Sequence, residues 1–314
     1  MIEADAIGEL CDEIRKLTQR SFAINLWVSD HDAEQLQLDE GTSRRHLDAM
    51  APVYRELGAE MPGWAGRFES RFERQAEALI RAKPKVFSFV FGIPSAEILQ
   101  ECKKQGIVTV GAATTLEEAL ASEAAHVDAV VVTGFEAGGH RPSFLKPAED
   151  SLHGTFALIQ IVKERVRITM IAAGGIADLR GVNAALALGA DAVQIGTAFL
   201  ACDESGASPS HKAMLHTRGP MGTVLSRAFT GRLARFRENR AIREFESSPL
   251  PALPFPAQSD LMAPLKTRAA ELGNFDYQSL YASQASALVR HHSAAALMEA
   301  LKPAFTSPIS TIRK

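Results

Sequence analysis

The chain has only three cysteines among its 314 residues, and they lie far apart at Cys11, Cys102 and Cys202. They form no CxxC pair and no Cys/His cluster, so neither a disulfide framework nor a structural zinc site is expected. The chain also lacks an apolar run of about eighteen residues, the length needed for a membrane-spanning helix. Its first residues lack the basic and apolar regions of a secretory signal peptide, and the isolated cysteines fit the reducing cytoplasm, where we expect the protein.

The charge balance and the common phosphate-binding motifs exclude further classes. The formal net charge is −3, from 34 Lys and Arg against 37 Asp and Glu, so no broad basic surface for nucleic acid is expected. Neither GxGxxG nor GxxxxGK[ST] occurs, which argues against Rossmann dinucleotide binding and P-loop binding. No nucleic-acid partner and no membrane partner are therefore expected.

Short apolar segments alternate with helical segments through the first two-thirds of the chain. This alternation is typical of βαβ units in a parallel sheet. Six strands fit either an open doubly wound sheet or a (β/α) barrel that lacks two strands. The predicted strands begin at Phe22, Val86, Ile107, Val127, Ile168 and Asp191.

The alternation stops at about Arg218, which predicts a core in residues 1–217 and an extension in residues 218–314 that packs on it. Residues 247–256 contain four prolines and indicate an extended connector. The tail after it is expected to be mostly helical or irregular. Six arginines between Arg227 and Arg243 are expected on a solvated helical face, or else in contact with an anionic partner.

The loop of residues 133–140, Thr-Gly-Phe-Glu-Ala-Gly-Gly-His, follows the Val-rich strand of residues 127–132. Ligands bind at the carboxyl ends of parallel strands, so His140 is a candidate for chemistry there. The neighbouring glycines allow the backbone to approach a ligand closely. Glu136 is expected to fix the loop by accepting amide hydrogen bonds rather than to take part in the reaction.

Two later glycine sites predict where a phosphate binds. Residues 172–176, Ala-Ala-Gly-Gly-Ile, close the fifth strand, and residues 194–199, Gln-Ile-Gly-Thr-Ala-Phe, close the sixth. Each offers backbone N–H groups without a side chain in the way, and each leads towards a helix N-terminus. In (β/α)₈ barrels the loops after the last two strands frequently hold a phosphate.

Together these segments resemble the nitronate monooxygenase family, formerly called 2-nitropropane dioxygenase. The resemblance rests on Gly-Phe-Glu-Ala-Gly-Gly-His at 134–140, Ile-Ala-Ala-Gly-Gly-Ile at 171–176 and Gln-Ile-Gly-Thr-Ala-Phe at 194–199. Phe-Ala-Ile-Asn-Leu at 22–26 and the region from 230–232 to 281–284 are similar to it as well, so most of the chain is covered. The resemblance implies a TIM-type (β/α) barrel with a C-terminal helical extension, which binds FMN and oxidises alkyl nitronates with O₂.

The resemblance also implies roles for individual residues. His140 is implied as the catalytic residue, which either abstracts a substrate proton or stabilises the anionic nitronate. A histidine suits both roles because its unperturbed pKa lies near 6.5. No metal site is implied. The implied cofactor contacts are Asn25, Thr133 and Gly138 at the flavin, with Gly175, Gln194, Ile195, Gly196 and Thr197 at its phosphate and ribityl chain.

This sequence departs from the family pattern in two respects. It begins at the helix before the family's third strand, so the first two strands are missing from the pattern. Either the start is truncated relative to the natural protein, or another segment or subunit closes the gap, because a barrel without adjacent strands leaves two unpaired edges. In addition, Thr133 stands where the family commonly has Gln, and Pro142 where Gly is common.

Two other functions stay open from the sequence. One is a flavin-dependent enoyl-acyl carrier protein reductase, which shares the barrel and its phosphate loops but oxidises NAD(P)H. The other is a flavin-poor, truncated and non-catalytic relative that serves as a binding or assembly subunit. Assembly into a homo-oligomer is compatible with each of these functions.

Overall fold

The core of the protein is a six-stranded parallel sheet. A computed structural model describes residues 3–29, 38–63, 70–217 and 222–306. The strands pair in chain order without any reversal, as in a barrel, whereas a doubly wound sheet reverses at a switch point. They are β1 (Ala23–Trp27), β2 (Val86–Val90), β3 (Val108–Ala113), β4 (Ala129–Thr133), β6 (Thr169–Ala173) and β7 (Ala192–Gln194), with the two-residue strand β5 (Gly139–His140) outside this sheet.

Helices follow most of these strands and cover the outer face of the sheet, which confirms the predicted (β/α) alternation. The helices before β4 are α1 (Ala4–Leu17), α2 (Glu40–Leu57), α3 (Phe72–Ala82), α4 (Ala96–Lys104) and α5 (Leu116–Ala124), of which α1 precedes β1 and α2 packs against the C-terminal part. From β5 to β7 they are α6 (Thr155–Arg165) and α7 (Leu179–Ala187). The C-terminal part contains α8 (Thr197–Leu200), α9 (Pro209–His216), α10 (Arg240–Glu246), α11 (Ala257–Glu271), α12 (Ala294–Leu301) and α13 (Pro303–Thr306).

The sheet is apolar on both faces. On the outer face, Val130 and Val132 are buried in one cluster with Leu158 of α6. On the inner face, Val110, Val131 and other strand residues form a separate, smaller cluster. Every residue of β4 is buried, which explains why its sequence is continuously apolar instead of alternating.

The two ends of the sheet are β1 and β7. Within the described residues, β1 pairs with β2 alone and β7 pairs with β6 alone. Six strands of the eight in a complete (β/α)₈ barrel are therefore present, as the alternation predicted. Among the helices described above, none combines the length and the apolar character that crossing a membrane requires.

The C-terminal part contains strands that the sequence analysis missed. The strands β8 (Thr223–Ser226) and β9 (Ala234–Arg237) are antiparallel, and β9 also pairs with β5. The resulting three-stranded sheet joins the C-terminal part to the loop that carries His140. The boundary proposed at residues 217 and 218 stays a prediction, since residues 218–221 lie outside the described ranges.

The expectation of a solvated helical face for the arginines of 227–243 was wrong for Arg232 and Arg235, whereas Arg240 and Arg243 lie on α10 and Arg243 is exposed. Arg232 and Arg235 are only 7% and 3% exposed, and Arg235 lies on strand β9. The Arg235 Nε donates to the carbonyl oxygen of Phe135 at 2.8 Å, and the Arg232 guanidinium lies 4.6 Å from the centre of the Phe255 ring. These contacts allow buried arginines because they replace the water that the guanidinium groups lose.

We expect Gly134→Ala to destabilise the fold by about 1–3 kcal/mol. A Cβ at position 134 would collide with the backbone nitrogen and the side chain of Thr155, at the start of α6. Urea titration measures the loss in the free energy of unfolding. Gly206→Ala is the matched control, because a Cβ at Gly206 meets no atom within 4 Å. If the two variants were equally stable, the close contact between Gly134 and Thr155 would not limit which residue can stand at position 134.

Candidate active site

A cavity of about 530 Å³ opens on the inner side of the sheet at the carboxyl ends of the strands. Residues from all six strands of the main sheet line it, together with β5 and the C-terminal Ser283. The structure brings nearly all the predicted site residues together here. Those lining the cavity are Asn25, Thr133, Gly138, His140, Gly175, Gln194, Gly196 and Thr197.

Ile195 is the one predicted residue that does not line the cavity. Its side chain packs against the main hydrophobic cluster on the outer side of the sheet. Successive side chains along a strand point to opposite faces of the sheet, so the side chains of Gln194 and Ile195 lie on opposite sides. The cofactor role predicted for Ile195 is thereby restricted to its main chain.

Glu136 fixes the loop of residues 134–140 at two places. Its carboxylate accepts hydrogen bonds from the Thr155 backbone N–H at 2.9 Å and from the Thr155 hydroxyl at 3.0 Å. Its carbonyl oxygen accepts from the N–H of Gln284 at 3.0 Å and from the hydroxyl of Ser283 at 2.9 Å. As predicted, Glu136 holds the loop through amide hydrogen bonds, and it ties α6 to the C-terminal segment.

On the cavity side of this loop, the backbone of Gly138 lies against the C-terminal segment. A Cβ there would lie 2.7 Å from the carbonyl carbon of Ala282 and 2.7 Å from the nitrogen of Ser283. The Ser283 N–H in turn donates to the Thr197 hydroxyl at 3.1 Å. The C-terminal segment therefore lies directly between the His140 loop and the loop after β7.

Arg141 secures the carbonyl groups at the end of β4. It is 1% exposed, and its two terminal nitrogens donate to Gly134 O at 2.6 Å and Thr133 O at 2.9 Å. Burial lowers the pKa of Arg141 to about 10, so the guanidinium stays charged at neutral pH. This buried cation lies immediately after the histidine of the site.

The side chain of His140 lies on the wall of the cavity, where three aromatic rings surround it. Its backbone pairs with Ala234 of β9, which fixes the position of the ring. The ring centre lies 5.1 Å from that of Trp27, 6.2 Å from that of Phe91 and 5.6 Å from that of Tyr281. Its Nε2 lies 2.9 Å from the hydroxyl oxygen of Thr230.

The environment keeps this imidazole neutral. Burial, together with the positive charges of Arg232 and Lys266, lowers the pKa of His140 to about 4. The Arg232 guanidinium itself lies 4.2 Å from the centre of the Phe91 ring and 5.4 Å from that of Trp27. At neutral pH a neutral His140 can accept a proton, while the nearby cations favour an anionic ligand.

The loops after β6 and β7 form an open cradle across the cavity from His140. Gly174 and Gly175 have φ angles of +96° and +71°, which side chains rarely allow. A Cβ on Gly196 would meet no atom within 4 Å. In the described part of the chain, the N–H groups of Gly175 and Gly196 donate to no protein acceptor. Such amides fit an anionic group such as a phosphate.

The sequence analysis missed several residues of the site. Trp27 could have been found from the alternation along β1, since Ala23, Asn25 and Trp27 share one face and all line the cavity. Thr230, Tyr281 and Ser283 carry no such local signal. They reach the site only because the C-terminal part folds back onto β5.

Comparison with known proteins gives consistent matches over the chain. The nitronate monooxygenase family profile matches residues 2–303. A nitronate monooxygenase of Paraburkholderia phytofirmans is 37% identical over 318 residues, covering 100% of this chain and 86% of that protein. The solved nitroalkane oxidase of Streptomyces ansochromogenes is 36% identical with a TM-score of 0.86, covering 96% of this chain and 84% of that one. FabK of Thermotoga maritima is 27% identical with a TM-score of 0.70, covering 97% and 82%.

Fold and site together define an oxidoreductase built on a TIM-type (β/α) barrel, with its cavity at the carboxyl ends of the strands. Within that class, the chain belongs to the nitronate monooxygenase family. The fold and the family implied by the sequence motifs are thereby confirmed.

We expect the His140 imidazole to titrate near pH 4, well below the ordinary value of about 6.5, because burial and two cations oppose its protonation. NMR of the imidazole C–H groups, assigned with His140→Ala, measures the midpoint. Arg232→Met removes one of the cations and should raise the midpoint. Arg180→Met is the control, since the Arg180 side chain is 80% exposed and should leave the midpoint unchanged. A wild-type midpoint near 6.5 would contradict the neutral state.

Proposed function

We propose that this protein is an FMN-dependent nitronate monooxygenase that oxidises alkyl nitronates with O₂. The observation that carries the proposal is the convergence of eight predicted site residues on one cavity, with His140 on its wall. The family membership and the names of the relatives support the same reaction class.

Both the polar and the apolar parts of the cavity suit FMN. The loops at Gly175 and Gly196 would hold the phosphate through their backbone N–H groups, and Gln194 and Thr197 would contact the ribityl chain. Asn25, Thr133 and Gly138 would border the ring system, next to the apolar inner face of the sheet. Bound FMN would supply the redox chemistry between the substrate and O₂.

The protein's own residues would bind and orient the substrate. A nitronate is an anion, and the charges of Arg141 and Arg232 give the His140 side of the cavity a positive potential. Trp27, Phe91 and Tyr281 surround the imidazole with apolar surface and exclude water from it. Moving an anion from water into the cavity costs less free energy when a fixed positive charge lies beside its binding position.

A second candidate function is the reduction of an enoyl thioester, favoured by the structural similarity to FabK. The two functions differ in the electron donor. In the enoyl reductase, NAD(P)H would bleach the flavin absorbance under anaerobic conditions, whereas in a nitronate monooxygenase the nitronate would do so. Bleaching by NAD(P)H but not by an alkyl nitronate would replace the first function with the second.

We expect Gly196→Val to weaken FMN binding by about tenfold or more, corresponding to about 1.4 kcal/mol. The added side chain meets no protein atom near its Cβ, so it should occupy the cradle without disturbing the fold. Titration of apoprotein with FMN, followed by flavin fluorescence, measures the affinity. Gly206→Val is the matched control outside this cavity. Unchanged affinity in Gly196→Val would refute the phosphate assignment.

His140→Ala should retain FMN but lose about 10²–10⁴-fold in turnover, because its proposed role is in proton transfer or anion binding. Steady-state O₂ consumption with an alkyl nitronate measures the loss, and the flavin spectrum of the purified variant measures retention. If FMN were lost together with the activity, His140 would be a structural residue.

A further inference from the structure

A second cavity, the α9–α11 cleft, has a volume of about 510 Å³. Helices α9 and α11 form two of its walls, and residues 278–281 form the third. Tyr281 lines this cleft with its own atoms, while its ring centre lies 5.6 Å from that of His140. Among the described residues, none that lines the cleft also lines the active-site cavity. The cleft is therefore a separate binding space next to the active site.

Hydrogen bonds hold the walls of the α9–α11 cleft in place. The Ser210 hydroxyl on α9 donates to Gln278 Oε1 at 2.6 Å, and Gln278 Nε2 donates to the carbonyl oxygen of Asn274 at 2.9 Å, just after α11. His211 Nε2 lies 2.8 Å from the Tyr281 carbonyl oxygen, which can only accept, so this nitrogen donates. The three walls are thus tied to one another, and little ordering is needed when a ligand binds.

Lys266 on α11 gives the cleft a positive charge. In the described part of the chain, it is the only Lys, Arg, Asp or Glu that lines the cleft. Its side chain is half-buried, and within the same residues its ammonium group forms no hydrogen bond and no salt bridge. Burial lowers the pKa of Lys266, and the carboxylate of Asp260 opposes this shift from beyond salt-bridge distance. A half-buried cation without a paired anion costs free energy, which a bound anion would recover.

The rest of the lining indicates which anion fits. The Ser279 hydroxyl lines the cleft and has no hydrogen-bond partner among the described residues. One cation and one free hydroxyl match the single charge and the two oxygens of a carboxylate. The apolar residues of the lining are Leu200, Ala207, Ala270 and Leu280. They offer a surface on which a short hydrocarbon chain can be buried.

We propose that the α9–α11 cleft binds a small organic carboxylate, whose anionic group pairs with Lys266 and whose hydrocarbon chain lies against Leu200 and Leu280. The site adds a second ligand to the protein and is independent of the proposed oxidation of nitronates. Its charge selects an anion, and its apolar wall selects a carbon chain over an inorganic ion of the same charge.

Titration of the purified protein with butanoate at neutral pH, followed by NMR of ¹³C-labelled alanine methyl groups, tests the site. Ala207 and Ala270 report on the cleft, whereas Ala112 and Ala137 report on the active-site cavity, and serine substitution of each assigns its signal. We expect saturable shifts at Ala207 and Ala270 with a Kd of about 1–10 mM. Butan-1-ol, which lacks the charge, should cause none. Equal shifts with butan-1-ol, no saturation with butanoate, or shifts confined to Ala112 and Ala137 would overturn the proposal.

Variants of Lys266 test the pairing. Lys266→Met should weaken butanoate binding about tenfold or more, because it removes the charge but keeps a long side chain that suits a helix. Lys266→Arg keeps the charge and should stay within about threefold of the wild type. Lys302→Met is the matched control, since the Lys302 side chain is 61% exposed and lies outside the cleft. Unchanged affinity in Lys266→Met, or an equal loss in Lys302→Met, overturns the proposal.

Discussion

The close packing of the 134–140 loop between α6 and the C-terminal segment is the constraint on which the site depends. Glu136 ties the loop to Thr155 on one side and to Ser283 and Gln284 on the other. Gly138 has no space for a side chain against residues 282–283. The histidine that ends the loop can therefore occupy only a narrow range of positions, which is what catalytic geometry requires.

The electrostatics of the site follow from the same packing. Burying Arg141 and Arg232 is costly, and the cost is reduced because the terminal nitrogens of Arg141 donate to carbonyl oxygens and the Arg232 guanidinium lies against aromatic rings. The buried cations in turn oppose a proton on His140. A neutral imidazole beside fixed positive charge favours the binding of an anionic ligand.

Much of the fold could be predicted because its signals are local. The strand β4 is continuously apolar because helices and the inner cluster cover both of its faces, and Thr115 caps α5 as its neighbours indicate. Arg232 and Arg235 were misinterpreted because a stretch with six charged side chains resembles a solvated surface. The contacts that bury Arg232 and Arg235 come from rings and carbonyls distant in sequence.

By itself, the sequence determined the parallel (β/α) core, the family and the glycine loops, and it singled out His140, which the structure places on the wall of the cavity. These depend on residue type and short spacing, which the chain carries within each segment. Only the tertiary structure decided which atoms of His140 face which partners. Thr230, Arg232, Tyr281 and Ser283 reach the site when β9 pairs with β5 and the C-terminal segment crosses the 134–140 loop. No local pattern encodes such contacts, because the hydrogen bonds and desolvation that produce them exist only once distant segments are packed together.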